Sequence, residues 1–297
     1  MIESGKTYLV MGLLDPQSIA YFIGKTIEHL GGKVIYSVQN DVVKKRYLDS
    51  SKLVSQEEKS ALDLRFCDVS KEDQVQALFE SLGPLAGVVH SIAYANPKTC
   101  MGNEFHTSSM PDVMKSYQIS CASLATVTRE AASHMKNGGA VLALSFDTHH
   151  VYPLYNWMGV HKAALEALVR ALARRHGRDR IRVNAISSGP VSTMAASKIP
   201  DFEHIGKIWQ QVSPIPWDPV ADRQAVAHAA AFLMSPLASK ITGQILAVDG
   251  GASIMGGPLM DHERAPFRVD SGLATRTPHR PVLANFPHTV LQDDCFV

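Results

Sequence analysis

Tyr155 and Lys162 stand seven residues apart in Tyr155-Asn-Trp-Met-Gly-Val-His-Lys162, directly after the strand-like run Gly139-Ala-Val-Leu-Ala-Leu-Ser145. On an α-helix seven residues advance roughly 700°, which puts both side chains on one face, about 10.5 Å apart along the axis. A long lysine leaning toward the helix N-terminus closes much of that gap. The two can therefore share one bound ligand, the lysine holding a sugar and the phenol reaching its reacting end. Taken alone, the same pair is equally an aromatic and a lysine on an amphipathic helix that carries a core face, so the surrounding elements must decide.

Short apolar, β-branched runs at 8–11, 33–37, 64–67, 87–91, 140–145, 182–187 and 245–248 read as strands. Helical patterns lie between them near 18–31, 71–82, 111–136, 155–177 and 222–234. Near-continuous hydrophobic strands separated by helices predict a parallel sheet covered on both faces, a doubly wound α/β domain of the Rossmann type. Ligands of such sheets bind at the carboxyl ends of the strands. Gly12, Asp68, Ser91, Ser145 and Gly189 all follow predicted strands, which places them along one edge of the molecule. The domain is expected over 1–254. The remaining 255–297, rich in Pro, Gly, His and Arg, reads as an extended tail that is disordered, wraps a neighbouring subunit, or acts as a lid.

With 297 residues, 45% hydrophobic and 19% charged, the chain is long enough for one large domain with a full core. A net charge of +1 gives no electrostatic footprint for nucleic acid or an anionic membrane. Cys67, Cys100, Cys121 and Cys295 lack Cys-x-x-Cys or Cys/His spacing, so neither a disulfide framework nor a zinc site is indicated. His149 and His150 are adjacent and point apart on a strand, and His161 is turned about 120° from Tyr155 on a helix, so no metal is expected. No apolar run approaches the ~18 residues of a membrane span, and the chain enters a strand too soon for a signal peptide. Cytosol is the expected compartment.

The strand ends carry a consistent set of small motifs. Gly12-Leu-Leu-Asp-Pro-Gln-Ser18-Ile19-Ala follows the first strand and opens the first helix, offering a tight turn, a hydroxyl and free backbone N–H groups to a pyrophosphate. Gln39 ends the second strand before Asn-Asp-Val-Val-Lys44-Lys45-Arg46. An acidic residue there would favour NADH and a basic one NADPH. Gln39 is neutral, and the basic run is either a solvated face or a binding site for the extra phosphate of NADPH. Asp68-Val69 reads as a helix cap. His90-Ser91-Ile92-Ala93, Gly189-Pro190-Val191-Ser192-Thr193 and Asp249-Gly-Gly251 complete the series. In this order the motifs resemble the short-chain dehydrogenase/reductase family over residues 5–254. The segment Pro153–Ala167 is similar to that family's divergent branch, the enoyl-acyl-carrier-protein reductases.

The resemblance implies a role for each position. The wider family sets its tyrosine four residues before the lysine, where this chain has Met158. A ketone reductase needs its phenol beside the carbon that receives hydride. Reduction of an enoyl thioester puts the negative charge further away, on the thioester carbonyl, and a displaced phenol suits that geometry. Tyr155 is thus expected to stabilise an enolate and Lys162 to bind the nicotinamide ribose. Gln39, being neutral, is similar to the NADH-using members, and Asp68-Val69 is expected at the adenine, a role compatible with a cap. Ser91, Ile92, Ala93 and Leu144 are expected at the cofactor, with Val191 main chain on the carboxamide and Thr193 near the phosphates. Phe146, in a Phe146-Asp147 pair similar to the mycobacterial long-chain enoyl reductases, replaces a second tyrosine. Tyr94, Met158, Ala195, Ile199 and Phe202 are expected around the substrate, the last three on a mobile lid near 193–216 that as a bare pattern is equally a core helix. Phe22 departs from the small residue usual there. The implied protein is a homotetramer taking its enoyl group from acyl-carrier protein or coenzyme A. A ketone or alcohol dehydrogenase of the same fold and a non-catalytic cofactor-binding protein remain the alternatives.

Overall fold

In the computed structural model, which describes residues 2–102, 104–199 and 201–260, the seven predicted runs fold as β1 (Thr7–Met11), β2 (Lys33–Val38), β3 (Asp63–Phe66), β4 (Gly87–His90), β5 (Gly139–Ser145), β6 (Ile181–Ser188) and β7 (Ile245–Val248). They form one sheet in the order β3-β2-β1-β4-β5-β6-β7, and every neighbouring pair is parallel. Each strand lies within one residue of its expected bounds. Most of the expected tail, 261–297, lies outside the described residues. Met1–Leu259 form one compact unit.

Alternation along the strands divides the interior into two cores. Tyr8, Val10, Leu142, Leu144 and Ile186 face one side. There they meet Ile23 and Ile27 of α1 (Ile19–His29), together with α8 (Phe202–Val212) and Val226 and Ala230 of α9 (Arg223–Met234). Leu9, Met11, Val141, Ala143, Val183 and Ala185 face the other. Their partners are Val75 and Phe79 of α4 (Glu72–Glu80), Val127 of α6 (Ser123–His134) and Leu165 and Val169 of α7 (Asn156–His176). A side-chain period of two along a strand that is covered on both faces dictates this split.

Three helical stretches differ from expectation. α2 (Asp41–Val43), continued by a π-helical turn at Lys44–Asp49, and α3 (Gln56–Ser60) lie in a polar stretch with no apolar period to reveal them. The long pattern at 111–136 is split into α5 (Met110–Tyr117) and α6 by a π-helical turn, Gln118–Ala122. That turn is held by Ser120, whose hydroxyl accepts from Tyr94 N at 2.8 Å and donates to Tyr94 O at 2.8 Å. Among the described residues no helix is long and apolar enough to cross a membrane.

Candidate active site

The strand order reverses between β1 and β4, so the crevice at their carboxyl ends is the topological switch point where ligands of doubly wound sheets bind. Gly12 and Ser91 meet there. Gly12 has φ 90°, and a Cβ on it would overlap the Ser91 carbonyl, so the glycine is required by its conformation and by the neighbouring loop as well as by any ligand. Ser18, in extended backbone, caps α1 by accepting from Tyr21 N at 3.3 Å and donates its hydroxyl to Asp15 O at 2.7 Å. Ile19 opens the helix, and its N–H and that of Ala20 bond to no other described residue, whereas those of Tyr21 and Phe22 are taken up by Ser18. Phe22, the departure from the family pattern, lies beneath Arg223, whose guanidinium carbon is 4.8 Å from the ring centroid. The same guanidinium donates to Gln17 O at 3.2 Å, so α9 clasps the turn that precedes α1.

Gln39 and Asp68 are brought together from adjacent strands, Gln39 Nε2 donating to Asp68 Oδ2 at 3.1 Å. Asp68 Oδ1 accepts from Ser70 N and Oγ, at 3.0 and 2.7 Å. These bonds outweigh burial and hold the carboxyl below its usual range. Its cap is on the turn at Ser70, since the residue preceding α4 is Lys71, which makes no side-chain cap. Val69 beside it is buried. The three basic residues downstream are engaged locally: Lys44 pairs with Asp49 at 2.8 Å, Lys45 with Asp41 at 2.7 Å, and Arg46 lies over the Tyr47 ring.

After β6, Gly189 and Pro190 run beneath two tryptophans. A Cβ at Gly189 would stand 2.7 Å from Trp217 and 2.9 Å from Trp209 Nε1. Trp217 Nε1 donates to Pro190 O at 2.7 Å and Trp209 Nε1 to Asp249 O at 3.1 Å. Val191 is buried, and its backbone N–H and C=O bond to no other described residue. Thr193 Oγ1 accepts from Ala196 N at 3.0 Å, just ahead of the short turn Ala196–Lys198.

Tyr155 lies one residue before α7 rather than within it. The backbone enters left-handed conformation on both sides, at Leu154 (φ 66°) and Asn156 (φ 38°). Asn156 Nδ2 pins this entry by donating to Gly102 O, and Met158 N already accepts the helical pattern by donating to Tyr155 O at 3.0 Å. The Tyr155 ring is half-buried, and burial alone holds the phenol well above its ordinary range. Its hydroxyl bonds to no described residue. Lys162 is 4% exposed and donates to Leu144 O at 2.6 Å. Burial lowers it to about 8, against opposing influences from Cys121 and Glu166.

An aromatic group surrounds the tyrosine. Phe146, just past β5, has its ring 4.9 Å from Tyr155, 5.0 Å from Tyr152 and 5.2 Å from Trp209. Tyr152 donates to Asp147 Oδ2 at 2.6 Å, and His150 Nδ1 lies 2.7 Å from the same oxygen. Of the expected lid, Ala195 is exposed, Ile199 and Phe202 are half-buried, and Ile205 and Trp209 are in the core. Met158 is buried under the first turn of α7. Tyr94 is held on the α5 side, its ring beneath Lys115 Nζ at 5.6 Å, with no ring contact to the aromatic group around Phe146. Tyr152, Glu166, Trp217 and Arg223 are participants that sequence reasoning passed over. Only Glu166 carried a signal there, one turn beyond Lys162 on the same helix face.

The edge therefore offers helix N–H groups and glycine turns at one end, and a lysine, a free phenol and an apolar aromatic wall at the other. Such an arrangement can hold a dinucleotide and stabilise negative charge on a substrate beside it. The family model described as Enoyl-(Acyl carrier protein) reductase matches residues 12–253. The enoyl-[acyl-carrier-protein] reductase [NADH] FabI of Bacillus cereus is 35% identical over 257 residues, covering 85% of this chain and 98% of that protein. The [NADPH] FabI of Staphylococcus aureus is 35% identical over 251 residues, covering 83% and 96%. Among solved structures, the Anaplasma phagocytophilum reductase in complex with NAD has a TM-score of 0.78 at 34% identity, covering 86% of this chain and 97% of that one. The Bacillus cereus reductase with NADP+ and indole naphthyridinone has a TM-score of 0.76 at 34% identity, covering 85% and 98%. The sheet order, the motifs in sequence and these matches agree, and the chain belongs to the enoyl-(acyl carrier protein) reductase family.

Proposed function

We propose that the protein reduces the trans-2 double bond of an enoyl thioester, carried on acyl-carrier protein or coenzyme A, with NADH, in fatty-acid or related acyl-chain biosynthesis. The observation that carries this reading is Tyr155 at the mouth of α7 with its hydroxyl unengaged, while the position four before Lys162 is a buried methionine. A phenol so placed can donate to a thioester carbonyl, whereas Met158 can donate to nothing. The fit to a dinucleotide rests on the glycine turns at Gly12 and Gly189, the open amides at the start of α1, and the unengaged main chain of Val191. NADH, when bound, supplies the hydride.

The chain's own contributions follow from chemistry. Ser18, Ile19 and Thr193 hold the phosphates, Asp68 and Val69 the adenine, and Ser91, Ile92, Ala93, Leu144 and Lys162 the region of the nicotinamide ribose. Gly189, Pro190 and Val191 orient the carboxamide, pressed into place by the two tryptophans. Tyr155, whose titration lies above neutral pH and is moved further up by burial, keeps its proton and donates a hydrogen bond to the oxygen on which charge develops. Phe146, Met158, Ala195, Ile199 and Phe202 exclude water from that oxygen, and Tyr94 is assigned to the outer wall. NADH is favoured over NADPH because Gln39 is neutral and because Lys44 and Lys45 already have carboxylate partners. The cytosol, with its reduced cofactor, is the proposed compartment. A homotetramer is proposed from the resemblance, and light scattering should give four times the chain mass.

The test follows reduced-cofactor absorbance with a short trans-2-enoyl thioester, with NADPH and a β-ketoacyl thioester in parallel. Oxidation of NADH by the enoyl substrate alone is expected. Reduction of the β-ketoacyl substrate alone would overturn the reading in favour of a ketone reductase.

A further inference from the structure

Between the exit of β5 and α7 lies a set of polar contacts that the reaction above does not use. Lys162 and Glu166 are one helical turn apart on α7, and both are buried, 4% and 6% exposed. Lys162 Nζ donates to Leu144 O at 2.6 Å. Glu166 Oε1 accepts from Ser145 Oγ at 2.7 Å, and Oε2 accepts from Thr148 Oγ1 at 2.8 Å. One face of α7 thus grips the chain at 144, 145 and 148. Phe146 and Asp147 are suspended between those points, Phe146 against Tyr155 and Asp147 holding Tyr152.

A buried carboxylate is destabilising unless it is hydrogen-bonded and paired with opposite charge. Two hydroxyls supply hydrogen bonds but no charge, and the cation one turn away is Lys162. An apolar side chain would hold the helix to the strand without that cost, so packing alone does not account for a glutamate here. We propose that Glu166 is a positioning residue of the reduction: it fixes the Leu144–Thr148 turn against α7, and by that turn and its own charge sets how Lys162 Nζ is presented to the cofactor's ribose. The proposal rests on the reading that Lys162 binds that ribose.

The groups facing Lys162 make this separable from a structural role. From β4, His90 is lowered by burial to about 3, and on α7 His161 is lowered by burial to about 4. From the π-helical turn, burial pushes the Cys121 thiol up. β5 presents only the Leu144 carbonyl and the Ser145 hydroxyl. Near neutral pH the imidazoles and the thiol are therefore uncharged, and the group that changes charge is Lys162, at about 8. The opposing influence of Cys121 needs a thiolate and is absent while the raised thiol keeps its proton, which leaves Glu166 to oppose the burial of Lys162 near neutral pH.

The experiment measures NADH affinity by fluorescence from pH 6.5 to 9.5, with kcat and KM for an enoyl thioester, on the full chain. Glu166→Gln keeps the shape and one acceptor oxygen, lets its NH2 donate to the other hydroxyl oxygen, and removes the charge. Without that charge Lys162 gives up its proton more readily, so affinity should fall off at a pH about one unit lower than in the wild type. Turnover should drop between ~10- and ~100-fold, as for a modest misplacement of reacting groups, while KM changes little and Glu166→Asp restores part of the loss. A wild-type pH dependence in folded Glu166→Gln would overturn the proposal. Should that variant not fold, the double variant Ser145→Ala/Thr148→Val keeps the carboxylate and loses its anchors. Lower kcat without an acid shift is then expected, and unchanged kcat would overturn the proposal. Lys162→Met is the control for the underlying reading. If it binds NADH like the wild type at every pH, the ribose assignment fails; if it loses binding while Glu166→Gln tracks the wild type, only the role of Glu166 fails.

Discussion

Tyr155 is a half-buried phenol whose hydroxyl has no hydrogen-bond partner among the described residues, and each half of that description has a consequence. Burial moves its titration still further above neutral pH, and the lack of an acceptor among the described residues leaves its proton for a substrate oxygen. Tyr155→Phe removes the donor and little else, since the Phe146 contact is between rings. Turnover should fall ~10²- to 10³-fold, the usual effect of losing one oxyanion donor, with NADH affinity unchanged in a fluorescence titration. Wild-type turnover would remove Tyr155 from the mechanism. Sequence spacing exposed this residue because it stands seven positions before Lys162, although it proves to precede α7 rather than to lie within it. It did not expose Tyr152, whose importance comes from Asp147 beneath it and from Trp209, which is 57 positions along the chain. Contacts between distant segments leave no periodic trace in the sequence.

Among the elements, α8 is the one whose role the sequence left open, because a lid and a core helix share the same apolar spacing. In the structure it is seated: Ile205 and Trp209 are buried, and Trp209 joins the Phe146–Tyr152 group and bonds to Asp249 O. Trp209→Ala should therefore cost stability as a core truncation does, ~3–5 kcal/mol by denaturant titration. It should also raise KM for the acyl substrate more than the Kd of NADH. A cost near zero would mean that α8 is not seated in solution. The parallel strands, by contrast, were legible almost to the residue. The inner strands β1, β4, β5 and β6 are buried on both faces and rich in apolar residues, the edge strands β3 and β7 stay partly exposed, and the segment 41–60 forms largely exposed helical turns with local caps.

For the whole molecule, the buried histidines set how it meets acid. His90 and His161 are lowered by burial to about 3 and about 4, so the fold holds both neutral while the unfolded chain protonates them near 6.5. Both pKa values are depressed in the folded state. Their contribution is thus complete above about 6.5 and is lost as pH falls toward the folded values, at ~1.4 kcal/mol per pH unit for each proton. His161 Nε2 has no hydrogen-bond partner among the described residues, and the ring stacks on Trp157. His161→Phe should keep that stacking and flatten the fall of Tm below pH 6.5, and an unaltered slope would assign the acid sensitivity elsewhere. The two tryptophans over Gly189 and Pro190 carry a last consequence, an optical one. Tryptophan emission overlaps the absorption of a reduced nicotinamide, and Trp209 and Trp217 are two of the chain's three indoles. A nicotinamide in that cradle would be an energy acceptor within a few ångströms of its donors, so the protein carries its own lamp for reading cofactor occupancy, dimmed on loading and restored on hydride loss.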